Sequence, residues 1–252
     1  MYNYRIFIPI ERNINLRNTI IQCEQWLRDE ISGANAQGIV LGLSGGIDSS
    51  VLAALGLEAL GKNGVLGIIM PCRSIPEDEA DARLLAQTLG LNTACVDLSG
   101  VFDLLCAGIG GELDSLTKSN MKARLRMVTL YAFAQSRNFL VCGTSNRSEY
   151  ETGYFTKYGD SGVDLMPLAG FLKRDIRAMA RELHVPERII TKAPSAGLYE
   201  GQTDEGDMGF SYDVLDEYLS SGRIDDRKAK ERIDVMRRRS EHKRKPIPIF
   251  RP

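Results

Sequence analysis

Histidine is nearly absent: the 252-residue chain holds two, His184 and His242, with a single tryptophan. Two imidazoles leave little room for a histidine triad or a histidine-based metal cluster. Five cysteines, Cys23, Cys72, Cys95, Cys106 and Cys142, are scattered with no Cys-x-x-Cys, which argues against a zinc ribbon or a redox pair and suits core-filling thiols. No apolar run is long enough to span a bilayer, and no signal peptide is recognisable, so no membrane partner and a cytoplasmic location are expected. An excess of one charge is also missing. Lys and Arg number 32 against 33 Asp and Glu, a net charge of −1, which gives no general electrostatic case for nucleic acid. At 43% hydrophobic residues the chain can bury one substantial core, and residues 1–252 read as a single domain.

What is present is an alternation of helical and strand patterns. An amphipathic helix from Asn15 to Ser32 precedes an apolar strand at Ile39–Leu43, a helix over Val51–Leu60 and a second strand at Val65–Met70. Glu77–Leu89 reads as a helix started by acids and stopped by Gly90, followed by a strand at Thr93–Asp97. Helices near Val101–Ala107 and Ser119–Ser136 lead to a fourth strand at Phe139–Cys142, and another helix spans Lys173–Leu183. Strands separated by helices predict an α/β fold, a doubly wound parallel sheet flanked by helices, with ligands at the carboxyl ends of the strands. The polar, glycine-rich stretches Asn146–Gly162 and Ala193–Gly209 are expected to be active-site loops or lids.

The first strand runs into Gly42-Leu43-Ser44-Gly45-Gly46-Ile47-Asp48-Ser49-Ser50. Strand, glycine turn and helix start together present unpaired N–H groups and positive dipole to an anion such as phosphate. No lysine follows the glycines, so the Gly-x-x-x-x-Gly-Lys-Ser/Thr loop of kinases and GTPases is excluded. Asp48 stands in its place. A carboxylate beside a phosphate calls for a cation between them, Mg²⁺ by its preference for oxygen, whereas an acid in a first turn also serves simply to complement the helix dipole. The complete string Ser-Gly-Gly-x-Asp-Ser resembles the pyrophosphatase loop of the N-type ATP pyrophosphatases, which implies the adenine nucleotide alpha hydrolase-like form of the fold.

A second set of motifs follows the fourth strand: Gly143-Thr144-Ser145-Asn146-Arg147-Ser148-Glu149, Thr152 to Asp160, and Asp164-Leu165-Met166-Pro167-Leu168. With Asn120 to Met127, Gly201-Gln202-Thr203-Asp204-Glu205 and His242-Lys243-Arg244, these resemble the ammonia-dependent NAD synthetases over nearly the whole chain. The resemblance implies an amide-forming ligase that adenylates the nicotinate carboxylate of deamido-NAD with ATP, releases pyrophosphate, and lets ammonia displace AMP. It also implies a homodimer with substrate sites at the subunit interface. Carried over residue by residue, Gly42 through Ser50 cradle ATP phosphates, and Asp48 and Glu149 bind Mg²⁺. Thr144, Lys173 and Ser195 contact ATP, with Lys173 a charge stabiliser near the transferring phosphate. Arg124, Lys157, Asp164, His242 and Lys243 hold deamido-NAD, and Asp160 orients ammonia or accepts its proton.

Each assignment has an ordinary structural alternative. Glu149 suits a helix start, Lys157 and Asp160 a solvated pair, and Arg237 to Lys245 a solvated helix end. Arg124 and Arg126, two apart on a helix, point to different faces, so at most one faces the site. Lys173 at a helix start is opposed by the dipole, which favours a functional role. Other functions compatible with the ATP loop are a tRNA-thiolation or lysidine enzyme, which calls for paired cysteines or an RNA-binding extension, and a nonenzymatic nucleotide-binding module. Asn146-Arg147-Ser148 departs from the His-Ala-Ala of many bacterial members and resembles another branch.

Overall fold

A computed structural model describes residues 16–195 and 203–251. Met1 to Arg12, Asn15 at the expected start of the first helix, and Gly201 and Gln202 lie outside the described residues. The chain runs α1 (Leu16–Gly33), β1 (Gly38–Gly42), α2 (Ile47–Leu60), β2 (Val65–Ile69), α3 (Pro76–Leu89), β3 (Thr93–Cys95), α4 (Ser99–Ile109), α5 (Ser115–Arg137) and β4 (Phe139–Val141). It continues through helices alone: α6 (Arg147–Thr152), α7 (Lys173–Glu182), α8 (Glu187–Ile190), α9 (Asp204–Met208), α10 (Tyr212–Ser221), α11 (Arg227–Arg239) and α12 (Glu241–Arg244).

The four strands are parallel in the order β3-β2-β1-β4. From β1 the chain steps outward to β3 and then returns to lay β4 on the other side of β1. The reversal opens a crevice at the carboxyl ends of β1 and β4, the place where open parallel sheets bind ligands. A bridge between Cys142 and Leu165 extends the pairing beyond β4.

Both faces of the sheet are covered, which is why β1 and β2 are apolar throughout. Ile39, Leu41, Val65 and Ile69 pack into a core with α1, α2, α3 and α7. Val40, Leu66 and Ile68 point the other way, onto Phe102 of α4 and Met121 and Ala134 of α5. Val51 to Leu55 of α2 are all buried, at about 1.5–3 kcal/mol for each large aliphatic side chain removed from water. Met208, Phe210, Tyr212, Leu215, Ala229 and Ile233 form a third, smaller core among α9, α10 and α11.

The expected helix ends hold: α3 opens on Pro76 with three acids in its first turn and closes on Gly90 at φ 63°. The segment expected as an open loop from Asn146 to Gly162 is different. It begins as α6, with Asn146, Arg147, Ser148 and Thr152 buried and a capping box between Asn146 and Glu149. Its polarity serves interior hydrogen bonds rather than solvent. Of Ala193–Gly209, residues 196–202 lie outside the described residues and Asp204–Met208 is α9.

Candidate functional site

The turn from β1 to α2 is shaped by backbone. Gly45 has φ 77°, and a Cβ there would run into the Asp78 carbonyl at the start of α3. The loop's hydroxyls brace the loop itself. Ser49 Oγ and Ser50 Oγ each donate to the Gly46 carbonyl at 2.9 Å, and Ser44 Oγ accepts the Gly46 amide at 3.2 Å. Ser50 is fully buried. What this geometry leaves for an anion is the first-turn amides at Ile47, Asp48 and Ser49, donors that a helix cannot satisfy internally.

Three charged groups meet beside that turn. Lys173 Nζ lies 2.5 Å from Asp48 Oδ2 and 3.1 Å from Glu149 Oε1, with its side chain only 2% exposed. Asn146, fully buried, donates from Nδ2 to the other Asp48 oxygen at 2.8 Å. Burial and the neighbouring Asp48 carboxylate push the Glu149 carboxyl up to about 8 against the pull of Lys173. Burial opposes the Lys173 charge, yet Asp48 and Glu149 outweigh it and hold the ammonium above its ordinary range. Sequence reasoning placed these three residues in one site, and the structure brings them together from three elements.

Further groups were not assigned a role from sequence. Tyr212, completely buried, donates its hydroxyl to Asp204 Oδ2 at 3.0 Å and lies 3.4 Å from Glu149 Oε1, with Lys173 Nζ 4.9 Å above its ring. Burial pushes the Asp204 carboxyl up, and its Oδ1 is buried without a hydrogen-bond partner among the described residues. The Thr203-Asp204-Glu205 motif was the available signal for Asp204; Tyr212 had none, since a buried aromatic reads as core.

The residues expected to hold a dinucleotide form a second, linked group. Arg124 donates to the Lys157 carbonyl at 3.2 Å, Lys157 Nζ to the His242 carbonyl at 2.8 Å, and His242 Nδ1 lies 3.0 Å from the Arg239 carbonyl. Lys243 Nζ donates to the Gly153 and Phe155 carbonyls at 2.8 and 2.7 Å, and interacts electrostatically with Asp160. Asp160 Oδ1 accepts the Thr156 amide at 2.8 Å. Arg126 turns the other way from Arg124, onto the Met70 carbonyl and Ser74 beyond β2, as the two-residue spacing requires. Asp164 stands apart, its two oxygens accepting from Tyr131 Oη at 2.9 Å and the Val141 amide at 2.8 Å. Thr144 is half-buried in the turn after β4, and Ser195 is exposed at the edge of the described residues. The basic C-terminal run is only partly solvated: Arg237 pairs with Glu151 at 2.7 Å, and Arg244 donates to the Tyr150 carbonyl at 3.1 Å.

Residues 19–247 match the NAD synthase family. The chain belongs to that family. An NH(3)-dependent NAD(+) synthetase of Finegoldia magna is 52% identical over 221 residues, 88% of this chain and 90% of the relative. Among solved structures, NMN synthetase from Francisella tularensis superposes with a TM-score of 0.91 at 36% identity, covering 94% of this chain and 99% of that one. NH3-dependent NAD synthetase from Campylobacter jejuni gives 0.79 at 28% identity, covering 95% and 100%. As a member of the NAD synthase family, the chain places its glycine-serine loop and its Asp48, Glu149 and Lys173 cluster at the switch point of the sheet. No helix of the described residues is long and apolar enough to cross a membrane.

Proposed function

We propose that the chain joins ammonia to the nicotinate carboxylate of deamido-NAD, with ATP as co-substrate, in two steps. A carboxylate oxygen attacks the α-phosphorus of ATP, forming a P–O bond while the α–β anhydride bond breaks and pyrophosphate leaves. Ammonia then attacks the acyl carbon, AMP departs with the electrons of the C–O bond, and the new amide sheds a proton. A free carboxylate resists nucleophiles, whereas its anhydride with AMP carries a good leaving group. The observation that carries this reading is the meeting of Asp48, Glu149 and Lys173 beside an anion-accepting helix start in a chain of the NAD synthase family. In it, the amides after Gly46 receive ATP phosphates, Lys173 supplies fixed positive charge where negative charge builds, and Arg124, Lys157, Asp164, His242 and Lys243 hold the dinucleotide. Asp160, beside Lys243, orients ammonia or takes its proton.

The residues present suit Mg²⁺. Asp48 and Glu149 already converge on one cation, the Lys173 ammonium, and both offer the hard oxygens that Mg²⁺ prefers. Among the described residues no set of three or more His, Cys, Asp or Glu side chains forms a metal cage, which suits an ion completed by water and phosphate. Asp48 and Glu149 would hold it, and when bound it would draw charge from the phosphates.

Nitrogen comes as ammonia rather than from glutamine hydrolysed by this chain. A glutaminase needs an activated nucleophile, while burial pushes the Cys23 thiol up to about 11 and raises Cys72 and Cys142 as well, and exposed Cys95 meets Arg83 at 3.4 Å, a cation rather than a base. All five cysteines are free, in keeping with a cytoplasmic location. A homodimer is supported by an apolar stripe on α4 and α5, where Val101, Leu104, Leu105, Ile109 and Val128 are exposed.

A second reading is that the favoured substrate is nicotinate mononucleotide, supported by the TM-score of 0.91 with the protein named NMN synthetase. The chemistry at the carboxylate is the same. Purified chain with ATP, MgCl₂, ammonium chloride and either pyridine nucleotide decides the matter by mass detection of NAD or NMN and by pyrophosphate release. The reading requires that release depend on a pyridine carboxylate and product on ammonia; pyrophosphate released without either would overturn it.

A further inference from the structure

Lys173 reaches Asp48 and Glu149 from the first turn of α7, which Asp175 caps from within the helix, accepting the Leu172 amide at 2.9 Å, and which two further side chains hold from other helices. Ser148 Oγ accepts the Lys173 amide at 3.1 Å and lies 2.5 Å from Asp216 Oδ1, to which it donates. Asp216 Oδ2 accepts the Arg174 amide at 2.8 Å. Leu172, which precedes the helix, has no side-chain oxygen with which to cap these amides. Asp216 lies on α10, which packs against both α6 and α7, and it is 1% exposed; Ser148 is fully buried.

The electrostatics point the same way. A lysine at a helix N-terminus is opposed by the dipole, and a carboxylate at that end offsets the opposition. Asp216 reaches α6 through Ser148, the neighbour of Glu149, and α7 through the residue after Lys173. One buried side chain thereby links the two helices that carry opposite partners of the 3.1 Å contact between Lys173 and Glu149, beside the backbone bond from the Arg147 amide to the Phe171 carbonyl. Neither oxygen of Asp216 is left for a ligand's use, so its influence passes through the backbone of α7.

We propose that Asp216 and Ser148 are positioning residues for the adenylating centre: they clamp the start of α7 so that the Lys173 ammonium stays where Asp48 and Glu149 meet. This deepens, and rests on, the reading of that cluster as the site of ATP chemistry. A misplacement of about 1 Å at such a group costs on the order of 10²-fold in rate.

The test measures kcat, the KM for ATP and the KM for the pyridine substrate in Asp216→Ala, Asp216→Asn, Ser148→Ala and the double alanine variant, at a temperature well below each Tm. Asp216→Ala should lower kcat about 10- to 100-fold with each KM within about twofold of wild type. Asp216→Asn should recover much of that loss, because its oxygen still accepts the Arg174 amide and its NH₂ can donate to Ser148. The double variant should lose no more than Asp216→Ala alone, since both side chains act through one clamp. If Asp216→Ala fails to fold, Ser148→Ala, which removes a single oxygen, decides with an expected fall of about tenfold in kcat. Wild-type kcat in either folded alanine variant, a loss confined to KM, or additive losses in the double variant would overturn the positioning role. A wild-type chain that releases no pyrophosphate with any pyridine carboxylate would overturn the functional reading itself, and the proposal with it.

Discussion

The turn between β1 and α2 and the corner where α6, α7 and α10 meet deliver charge to the same point, the first with backbone and the second with side chains. At the turn, the working groups are amides of consecutive residues, shaped by Gly45 and braced by three nearby serines. At the corner, Glu149, Lys173, Ser148 and Asp216 are drawn from segments up to 68 residues apart and joined by hydrogen bonds in the interior. An anion site made of backbone tolerates side-chain change but not added bulk; one made of buried side chains should fail when a single oxygen or charge is lost.

The largest expected effect lies where the two regions touch. Asp48 rises from the turn and bonds Lys173 and Asn146 of the corner. Asp48→Asn keeps the shape, removes the charge and a candidate Mg²⁺ ligand, and should lower turnover on the order of 10²-fold or more while the protein stays folded. Pyrophosphate release at saturating Mg²⁺, with circular dichroism as the control, measures it. Near-wild-type turnover would overturn the Mg²⁺-ligand role of Asp48.

Bulk at Gly45 tests the backbone side. Its φ of 77° and the Asp78 carbonyl in the path of any Cβ predict that Gly45→Val costs well over about 1–2 kcal/mol, the usual penalty for a left-handed residue before any clash. Gly100→Ala is the contrast: the glycine is on α4, with nothing near its would-be Cβ, so alanine should be neutral or stabilising by about 0.5–1 kcal/mol. The thermal melt should therefore fall for Gly45→Val and hold or rise for Gly100→Ala.

The same contrast explains what can be read in advance. The strands, the order of elements through β4, and the loop at Gly42–Ser50 are legible because they depend on apolar periodicity and on glycine and serine at close spacing. That Asp48, Glu149 and Lys173 share one site is legible only through resemblance to a family, since nothing local says that residues 48, 149 and 173 meet. Ser148 and Asp216 are not legible at all. A buried serine and aspartate look like surface residues until the fold shows what they bond, and α6 reads as open loop because its polar side chains point inward.

The exposed face of α4 offers an intermediate effect away from the crevice. Leu104 is 76% exposed in line with Val101, Leu105 and Ile109, four apolar side chains on one helical face. If this face joins two copies, Leu104→Glu should shift the chain toward monomer in light-scattering measurements at micromolar concentration, while leaving the contacts of the turn and the corner unaltered. An unchanged mass would rule this face out as a contact between copies. Loss of activity together with the dimer would show that a partner copy completes the substrate site, a dependence that neither region reveals within one chain.

A last effect is a pH dependence centred on the corner. Glu149 holds its proton more tightly when folded, at about 8 against an ordinary value of 4.5, because it is buried beside the Asp48 carboxylate. A proton bound more tightly in the folded state stabilises folding at low pH, and that contribution is lost as pH rises from about 4.5 towards 8. The metal-free protein should therefore lose stability across that window, by at most about 1.4 kcal/mol for each step of one in pH. Glu149→Gln, which cannot titrate, should flatten the slope of Tm against pH between 5 and 8 relative to wild type. Parallel slopes would mean that Glu149 is ionised throughout, paired fully with Lys173, and that the corner carries one negative charge more than the burial of Glu149 implies. The amides of the turn do not titrate, so the turn enters this slope only through the Asp48 carboxylate beside Glu149.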